Sequence, residues 1–495
     1  MKNLKTWLSP WVQIESDVMV NDLTQDSRLV QPGMAFVGCL GLTHDGRTFI
    51  SHAVAKGAAA VLYEATPDFV PPETTVPLIP ILHLSERLGL LSARFYDDPS
   101  HAFRTFAVTG TNGKTSTTHF IASLLNQVGK KSGVLGTLGY GFPPELQQTT
   151  HTTPDAIALQ RELQWFRAMG TEAVALEASS HALVQSRLVG TAIDVAVYTQ
   201  LSRDHLDYHG TMEDYAAAKA RLFQHPGLKA AVFNVDDEWG FRWAKQHAAA
   251  GVYPVLGYSL DGVESDHFPV IAVQKIVPDL KGFQIQVASP WGKGGCHIPL
   301  LGRFNVENVL AAVGATVVLG DLTFAESLAG VGHLTAVPGR MTVLGGGGVA
   351  PQVIVDYAHT PDALAKVLQA LRLHCTGQLW CVFGCGGDRD RGKRPEMGGI
   401  AEQFADHVVI TLDNPRTESP EQIVGDIVRG LKHRKAHVEW DRRQAISDAI
   451  RQASPADIVL IAGKGHESVQ IVGEERIPFD DAEAVCVALS ACSNI

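Results

Sequence analysis

The 495 residues are 45% hydrophobic and 19% charged, a globular composition with room for about three domains at roughly 150 residues each. The net charge of −11 is spread without long blocks of one sign, which argues against nucleic acid as the main partner, because phosphate backbones are held by clustered Lys and Arg. No run of 18 apolar residues occurs and residues 1–10 lack the apolar stretch of a signal peptide, so neither membrane insertion nor export is expected.

Up to about residue 99, short strands and helices are punctuated by Pro and Gly, including the proline-rich stretch from Pro67 to Pro80. From residue 101, apolar strands alternate with amphipathic helices. The pattern predicts a strand over 103–110, a helix through about 128 with Phe120, Leu124 and Val128 on its apolar face, and buried strands over 172–177, 193–199 and 230–235. A second alternating block follows Gly339, with strands over 352–356, 379–384, 407–412 and 457–462 and helices over 362–373 and 420–431. The glycine run 345–348 reads as a turn. Such alternation is the signature of parallel sheets covered by helices, so the expected fold class is α/β in three domains, 1–99, 100–337 and 338–495. The seven cysteines (Cys39, Cys296, Cys375, Cys381, Cys385, Cys486 and Cys492) are odd in number and mostly sit in apolar runs. Cys381 and Cys385 lack the second pair of a zinc site, and reduced thiols in a cytoplasmic protein fit best.

The most informative segment is Thr109-Gly110-Thr111-Asn112-Gly113-Lys114-Thr115, between an apolar strand and a helix. Free backbone N–H groups and the helix dipole converge there on one spot that favours an anion. Glycines let the backbone approach it, Lys114 reaches the terminal phosphates, and the Thr115 hydroxyl is placed to ligate Mg²⁺. The general pattern asks for a glycine where Val108 stands, so this loop is shorter than the standard one. The plainer alternative is a glycine turn with Lys114 in solvent.

Glu177 closes a strand and precedes Ala178-Ser179-Ser180-His181. Ligands of parallel sheets lie at strand carboxyl ends, so Glu177 is a candidate Mg²⁺ ligand; equally, Ser179 or Ser180 can cap a helix while Glu177 pairs locally. The strand over 193–199 runs into Ser202-Arg203-Asp204-His205-Leu206-Asp207-Tyr208-His209. His205 and His209 have helical spacing but no intervening glutamate, which disfavours zinc hydrolysis. Lys219, on the next helix, reads by itself as a solvated lysine.

Taken in order, 109–115, 177–181, 201–207, Tyr215-x-x-x-Lys219, Gly302-Arg303-Phe304-Asn305-Val306-Glu307-Asn308 and Pro338-Gly339-Arg340-Met341 resemble the Mur ligase family over nearly the whole chain. The shortened phosphate loop is that family's own form. Asp26-Ser27-Arg28, Pro32-Gly33 and Asp45-Gly46-Arg47 resemble the uridine-nucleotide domain of its tripeptide synthetases, although Asp26-Ser27-Arg28 alone also reads as an Asx turn. The resemblance implies a uridine-nucleotide domain, a central P-loop ATPase-like domain and a Rossmann-like C-terminal domain. It also implies ATP-dependent amide formation on a UDP-N-acetylmuramoyl dipeptide, for peptidoglycan and hence cell shape and division. Gly110, Thr111, Asn112, Gly113, Lys114, Thr115, Ser116, Asn305, Arg340, Asp356 and His359 would meet ATP. Thr115, Glu177, His205 and Lys219 as a carbamate would hold Mg²⁺, with Lys114, Glu177, His205 and Lys219 the catalytic set. Ser27, Leu42, Thr43, His44, His151, Thr152, Thr153, Ser179, Gln185 and Arg187 would hold the dipeptide substrate.

Asp413-Asn414-Pro415-Arg416 resembles the signature of members that add meso-diaminopimelate. Diaminopimelate differs from lysine by one carboxylate, which an arginine fork binds bidentately; an unpaired arginine then rejects lysine. By the same resemblance Arg389, Gly463 and Glu467 complete the pocket, Glu467 facing an ammonium. A surface pair of Arg416 with Glu418 is the plainer alternative. Small molecules are the expected partners and a monomer the expected state. A lysine-adding relative, a folylpolyglutamate synthetase, a P-loop kinase or a nucleotide-gated binding protein would share the ATP loop; of these, the folylpolyglutamate synthetase should lack the N-terminal block.

Overall fold

The computed structural model describes residues 1–41, 44–149, 151–279, 282–346, 349–432 and 436–492, so the expectations at Leu42 and Thr43 lie outside the described residues. The chain groups into two compact units. One comprises Met1–Thr109, Val128–Val197 and Ala217–Ala231; the other comprises Gly110–Gln127, Tyr198–Ala216 and Val232–Ile495.

The first unit opens with a two-stranded pair, β1 (Lys2–Asn3) and β2 (Met19–Val20). A parallel sheet follows, of β3 (Leu23–Thr24), β4 (Ala35–Gly38), β5 (Ala60–Glu64) and β6 (Leu78–Ile81) in that spatial order. Next come β7 (Arg104–Thr109), β8 (Ser132–Gly136), β9 (Gly139–Phe142), β10 (Glu145–Gln147), β11 (Ala173–Glu177) and β12 (Val195–Tyr198), ordered β10-β9-β8-β11-β7-β12. β8, β11 and β7 are parallel, and their almost entirely buried apolar runs are what a sheet covered on both faces requires. Glu177 pairs in register with Val108, so a carboxylate and the start of the phosphate loop leave the sheet at the same end of adjacent strands.

In the second unit, β13 (Ala230–Asn234), β14 (Val255–Ser259), β15 (Val270–Asp279), β16 (Gly282–Ser289) and β17 (Gly292–Ile298) end in an antiparallel meander, β15-β16-β17. The last sheet holds β18 (Thr342–Gly345), β19 (Gln352–Asp356), β20 (Leu379–Phe383), β21 (His407–Ile410), β22 (His437–Val438) and β23 (Ile458–Ala462) in the order β18-β19-β23-β20-β21-β22. All its pairings are parallel except the edge strand β18. Its strands bury side chains on both faces: Ile354, Phe383 and Leu460 against Leu364 and Met397, and Val353, Val382 and Ile461 against Ile446 and Val485. Truncating a fully buried member such as Leu460 to Ala would cost about 2–5 kcal/mol. A final hairpin joins β24 (Val469–Val472) and β25 (Glu475–Pro478).

The α/β class and every strand expected in the two alternating blocks are present. Two details differ. The helix Lys114–Gln127 stops before Val128, which is 43% exposed, because Gly129 turns the chain with φ +85°. Thr342–Gly345 is an edge strand that ends at the first glycine of the expected turn.

Candidate active site

Between β7 and the helix Lys114–Gln127, the backbone takes φ +152° at Gly110 and +87° at Gly113. A Cβ on Gly110 would run into Thr199 Oγ1, and one on Gly113 into Asn308 Oδ1, so this path needs glycine on two grounds. The loop is tied down by its neighbours. Thr111 N–H donates to the Gln200 carbonyl at 2.8 Å, Thr199 Oγ1 donates to the Asn112 carbonyl at 2.5 Å, and Thr111 Oγ1 accepts from Ser202 N–H at 3.0 Å and meets Tyr215 Oη at 3.2 Å. Lys114 Nζ folds back onto the Gly110 and Thr111 carbonyls at 3.0 and 2.9 Å, which is not the solvated lysine of the plainer reading. Thr115 and Ser116 are buried in the first helical turn.

From Thr115 a chain of contacts leads through the residues expected around a nucleotide. Arg340 Nη2 donates to Thr115 Oγ1 at 3.4 Å, and the same guanidinium lies 4.4 Å over the Tyr357 ring. Its buried Nε finds no hydrogen-bond partner among the described residues, a donor left for an anion. Tyr357 contacts the rings of His359 (4.6 Å) and His466 (5.0 Å). Burial pulls the His359 pKa down to about 4, helped by the Lys393 cation, and that of His466 to about 3, so both are neutral donors or acceptors near pH 7. Asp356 is buried and raised in pKa by that burial; its oxygens accept Met341 and Ala358 N–H at 2.7 and 2.8 Å, so its carboxylate shapes the Arg340 turn. Asn305 donates to the Leu301 carbonyl at 2.8 Å and accepts from Asn308 at 3.3 Å, fixing the first turn of the helix Arg303–Val317.

The diaminopimelate signature follows β21. Arg416, half-buried and at φ +53°, donates from Nη1 to the Gly387 carbonyl at 2.8 Å. Its N–H and C=O pair with Ile471 and Gly473 of the β24–β25 hairpin, at 3.0 and 2.7 Å. Among the described residues no carboxylate ion-pairs with it; Glu418 instead holds Arg394 at 2.6 Å and Arg391 at 2.9 Å, which displaces the surface-pair reading. A Cβ on Gly386 would meet Arg416 Nη1 at 2.9 Å and Arg389 Cγ at 3.7 Å, so two arginines flank one glycine. Burial, then the Arg389 charge, lowers the Arg416 pKa. A Cβ on Gly463, itself at φ +114°, would stand 3.5 Å from the buried Asp413 carboxylate. Asn414 Nδ2 donates to Glu467 Oε2 at 2.8 Å. Pro415 carries the turn between Asn414 and Arg416, its carbonyl accepting from Glu418 N–H at 3.1 Å.

In the first unit, five of the expected substrate residues, Thr152, Thr153, Ser179, Gln185 and Arg187, cluster at the end of β11. Thr153 Oγ1 donates to the Glu177 carbonyl at 2.6 Å and lies 3.2 Å from Ser179 Oγ, while Arg187 donates to the Thr153 carbonyl at 2.6 Å and to Gln185 Oε1 at 2.6 and 3.0 Å. Thr152 Oγ1 meets Thr137 Oγ1 at 3.1 Å. Burial and the Arg187 charge lower the His151 pKa. Ser179 Oγ accepts Ala182 N–H at 3.2 Å, so the helix cap is real, and the Glu177 carboxylate accepts from Thr137 N–H (2.8 Å) and Oγ1 (3.2 Å). Ser27 joins a separate group, bonded to His52 at 3.0 Å, with Asp26 forming the Asx turn to Arg28 N–H at 2.9 Å; His44 is exposed. Lys219 corrects the solvated reading: it is 1% exposed. In the second unit His205, at φ +53°, stands 3.4 Å from Asp204.

Models of the Mur ligase middle domain, the Mur ligase glutamate ligase domain and the Mur ligase family catalytic domain match residues 108–316, 339–465 and 20–96. A relative from Coxiella burnetii, named UDP-N-acetylmuramoyl-L-alanyl-D-glutamate–2,6-diaminopimelate ligase, is 50% identical over 477 residues, 96% of this chain and 97% of its own. The chain belongs to the Mur ligase family. A Pseudomonas aeruginosa protein of the same name is 46% identical over 97% of both chains. A solved structure with that name superposes with a TM-score of 0.69 at 39% identity, covering 99% of each chain. A Thermotoga maritima MurF structure with ADP shares the fold at 17% identity and TM-score 0.65, over 97% of this chain and 99% of its own.

For this Mur ligase, several residues that shape the site escape motif reading. Thr137 and Gly136 set the Glu177 carboxylate, a Cβ on Gly136 colliding with it. Thr199, Ser202, Tyr215 and Asn308 shape the phosphate loop, Tyr357 and His466 stack beside Arg340, and Lys464 sits under Glu467. Ser202, Tyr215 and Asn308 lay inside motifs and Tyr357 between two expected residues, without standing out there; the others are single small or polar residues without spacing. Among the described residues no cluster of three His, Cys, Asp or Glu is placed to hold a metal. The Thr115 hydroxyl and the Glu177 carboxylate are hard oxygen donors, the chemistry that Mg²⁺ takes. Buried Cys381 and Cys385 have thiol pKa values raised by burial, Cys385 to about 12, which favours thiols over metal ligands.

Proposed function

We propose that this ligase joins meso-2,6-diaminopimelate to the D-glutamyl γ-carboxylate of UDP-N-acetylmuramoyl-L-alanyl-D-glutamate, using ATP, in peptidoglycan synthesis. The observation that carries the reading is Arg416. Beside Arg389, this half-buried guanidinium has no carboxylate partner among the described residues, a vacancy that suits the carboxylate distinguishing diaminopimelate from lysine.

A carboxylate resists amine attack because oxide would have to leave. In the proposed sequence a γ-carboxylate oxygen attacks the γ-phosphorus of ATP and ADP departs. The diaminopimelate amine then adds to the acyl carbon, the C–O bond to phosphate breaks, and the amine loses its proton. The protein's work is positioning and charge neutralisation. Lys114 and the N–H groups of Gly110–Thr115 hold the phosphates; Arg340 presents its free Nε, with Asn305, Asp356 and His359 framing the nucleotide. Thr152, Thr153, Ser179, Gln185 and Arg187 hold the dipeptide, with His151, Ser27 and His44 toward the uridine end. Arg389, Asp413, Asn414, Pro415, Arg416, Gly463 and Glu467 receive the amino acid. Thr115, Glu177, His205 and carbamylated Lys219 would hold Mg²⁺, which offsets phosphate charge when bound. Burial of Lys219 supports a place in the site rather than on a solvated face.

The reading takes the chain as three domains, 1–99, 100–337 and 338–495, acting as a cytoplasmic monomer on small molecules. No helix among the described residues is long and apolar enough to cross a membrane. Phosphate release measured with the UDP-muramoyl dipeptide across a panel of amino acids tests the assignment: it should require diaminopimelate. Equal release without any amino acid would indicate a simple ATPase.

A further inference from the structure

The loop after β23 meets the Asp413–Arg416 segment through one buried cation. Lys464 is fully buried, yet its ammonium donates to Asn414 Oδ1 (3.0 Å), Glu467 Oε2 (3.2 Å) and the Val469 carbonyl (2.7 Å), with Asp413 Oδ1 at 3.5 Å. All three of its N–H bonds are thus directed at named oxygens. Asn414 Nδ2 donates to the same Glu467 Oε2 at 2.8 Å, which closes a triangle of Lys464, Asn414 and Glu467. Around it, Gln470 donates to the Asp413 carbonyl at 2.8 Å and Ile471 N–H to Asn414 Oδ1 at 3.0 Å. Arg442, itself buried against Asp481, donates to the Ala462 carbonyl at 3.0 Å, where the loop starts.

A lysine in such a place is a poor way to fill volume. Desolvating an ammonium is expensive, and a buried ion pair adds little net stability over well-packed apolar residues in place of both partners. What the cation does supply is direction. Glu467 Oε2 is fixed by two donors, whereas no described residue hydrogen-bonds Oε1, and the side chain is 29% exposed. Two carboxylates, Asp413 and Glu467, flank one ammonium, leaving one formal negative charge for an incoming cation.

We infer that Lys464 is a positioning residue for the amino-acid step: it holds Glu467 and Asn414 so that Glu467 Oε1 meets a substrate ammonium. This rests on the reading of the pocket given above. Division of labour follows from the chemistry. Arg416 reads the carboxylate that lysine lacks, and Lys464 organises the site for an ammonium that both amino acids carry. Losing Lys464 therefore weakens both without changing the choice between them.

The test is Lys464→Met in the full-length protein, with native melting confirmed, assayed by phosphate release. KM for diaminopimelate should rise ~10- to 100-fold, with kcat and KM for ATP within about 3-fold, and the diaminopimelate-to-lysine ratio of kcat/KM should hold. On a Glu467→Gln background the same substitution should raise KM by less than about 2-fold, because the lysine acts through that carboxylate. An unchanged KM, a parallel rise in KM for ATP, or full additivity with Glu467→Gln would overturn the inference. Should Lys464→Met not fold, Lys464→Gln and a crystal structure of the unsubstituted protein with diaminopimelate take its place. Glu467 bridging Lys464 and the substrate ammonium supports the proposal, and Glu467 turned away from Lys464 refutes it. If the unsubstituted protein releases no phosphate with diaminopimelate, the substrate reading has failed instead.

Discussion

Arg416→Ala removes the fork offered to the second carboxylate of diaminopimelate and leaves the backbone alone, since neither residue is glycine at φ +53°. Truncating one partner of a buried, hydrogen-bonded charge pair costs about 2–5 kcal/mol. Arg416 is half-buried, and Arg389 flanks the same glycine and remains to attract the anion, so the lower half of that range applies, about 2–3 kcal/mol. At 1.36 kcal/mol per decade this is roughly a 30- to 150-fold fall in kcat/KM for diaminopimelate. Lysine has no second carboxylate to lose, so its kcat/KM should change little and the ratio of the two should fall by the same factor. Arg416→Lys keeps the charge but not the planar pair of donors and should recover only part of the loss. The assay is phosphate release against each amino acid with saturating ATP and UDP-muramoyl dipeptide. If the ratio is unchanged while the protein melts normally, Arg416 does not read that carboxylate and the pocket is wrongly assigned.

Lys114→Ala should lower turnover by about 10³-fold or more, because the ammonium that caps Gly110 and Thr111 is also the one offered to the transferring phosphoryl group; near-normal phosphate release would remove the loop from the mechanism. Lys219→Ala should be inactive and recover in part with added short carboxylic acids, which supply the missing oxygen ligands; activity that stays flat across such a series would count against the carbamate. Stability should fall as pH drops below about 6.5, since burial holds His119 and His359 near pKa 4 and His466 near 3 against 6.5 when unfolded. The unfolded chain then binds more protons between those values, a loss of about 2 kcal/mol per histidine by pH 5; a melting temperature equal at pH 5 and pH 7 would show that these rings are not held neutral.

The parts of the fold legible in the sequence were those where one physical signal dominates. Gln352–Asp356 and Ile458–Ala462 read as strands because buried parallel strands are continuous apolar runs, and Gly110 and Gly113 read as a phosphate loop because no other residue fits their backbone. The meander β15–β17 was missed, since its last strand, Gly-Lys-Gly-Gly-Cys-His-Ile, carries too little apolar alternation to mark an edge. At the site, the charged motif residues stood out, but their supports did not. Thr137 acts on Glu177 from forty positions away, and Lys464 reaches Asn414 across fifty, contacts that only the folded sheet creates. Lys219 misled for a related reason: its helix has no apolar stripe to announce burial.

Activation of the carboxylate by ATP is most directly tested by following oxygen. With both γ-carboxylate oxygens of the D-glutamyl residue labelled with ¹⁸O, attack on the γ-phosphorus and later C–O cleavage leave one carboxylate oxygen in the released phosphate. Mass spectrometry should therefore find one ¹⁸O per phosphate and one in the new amide; unlabelled phosphate released in step with amide formation would contradict the acyl phosphate.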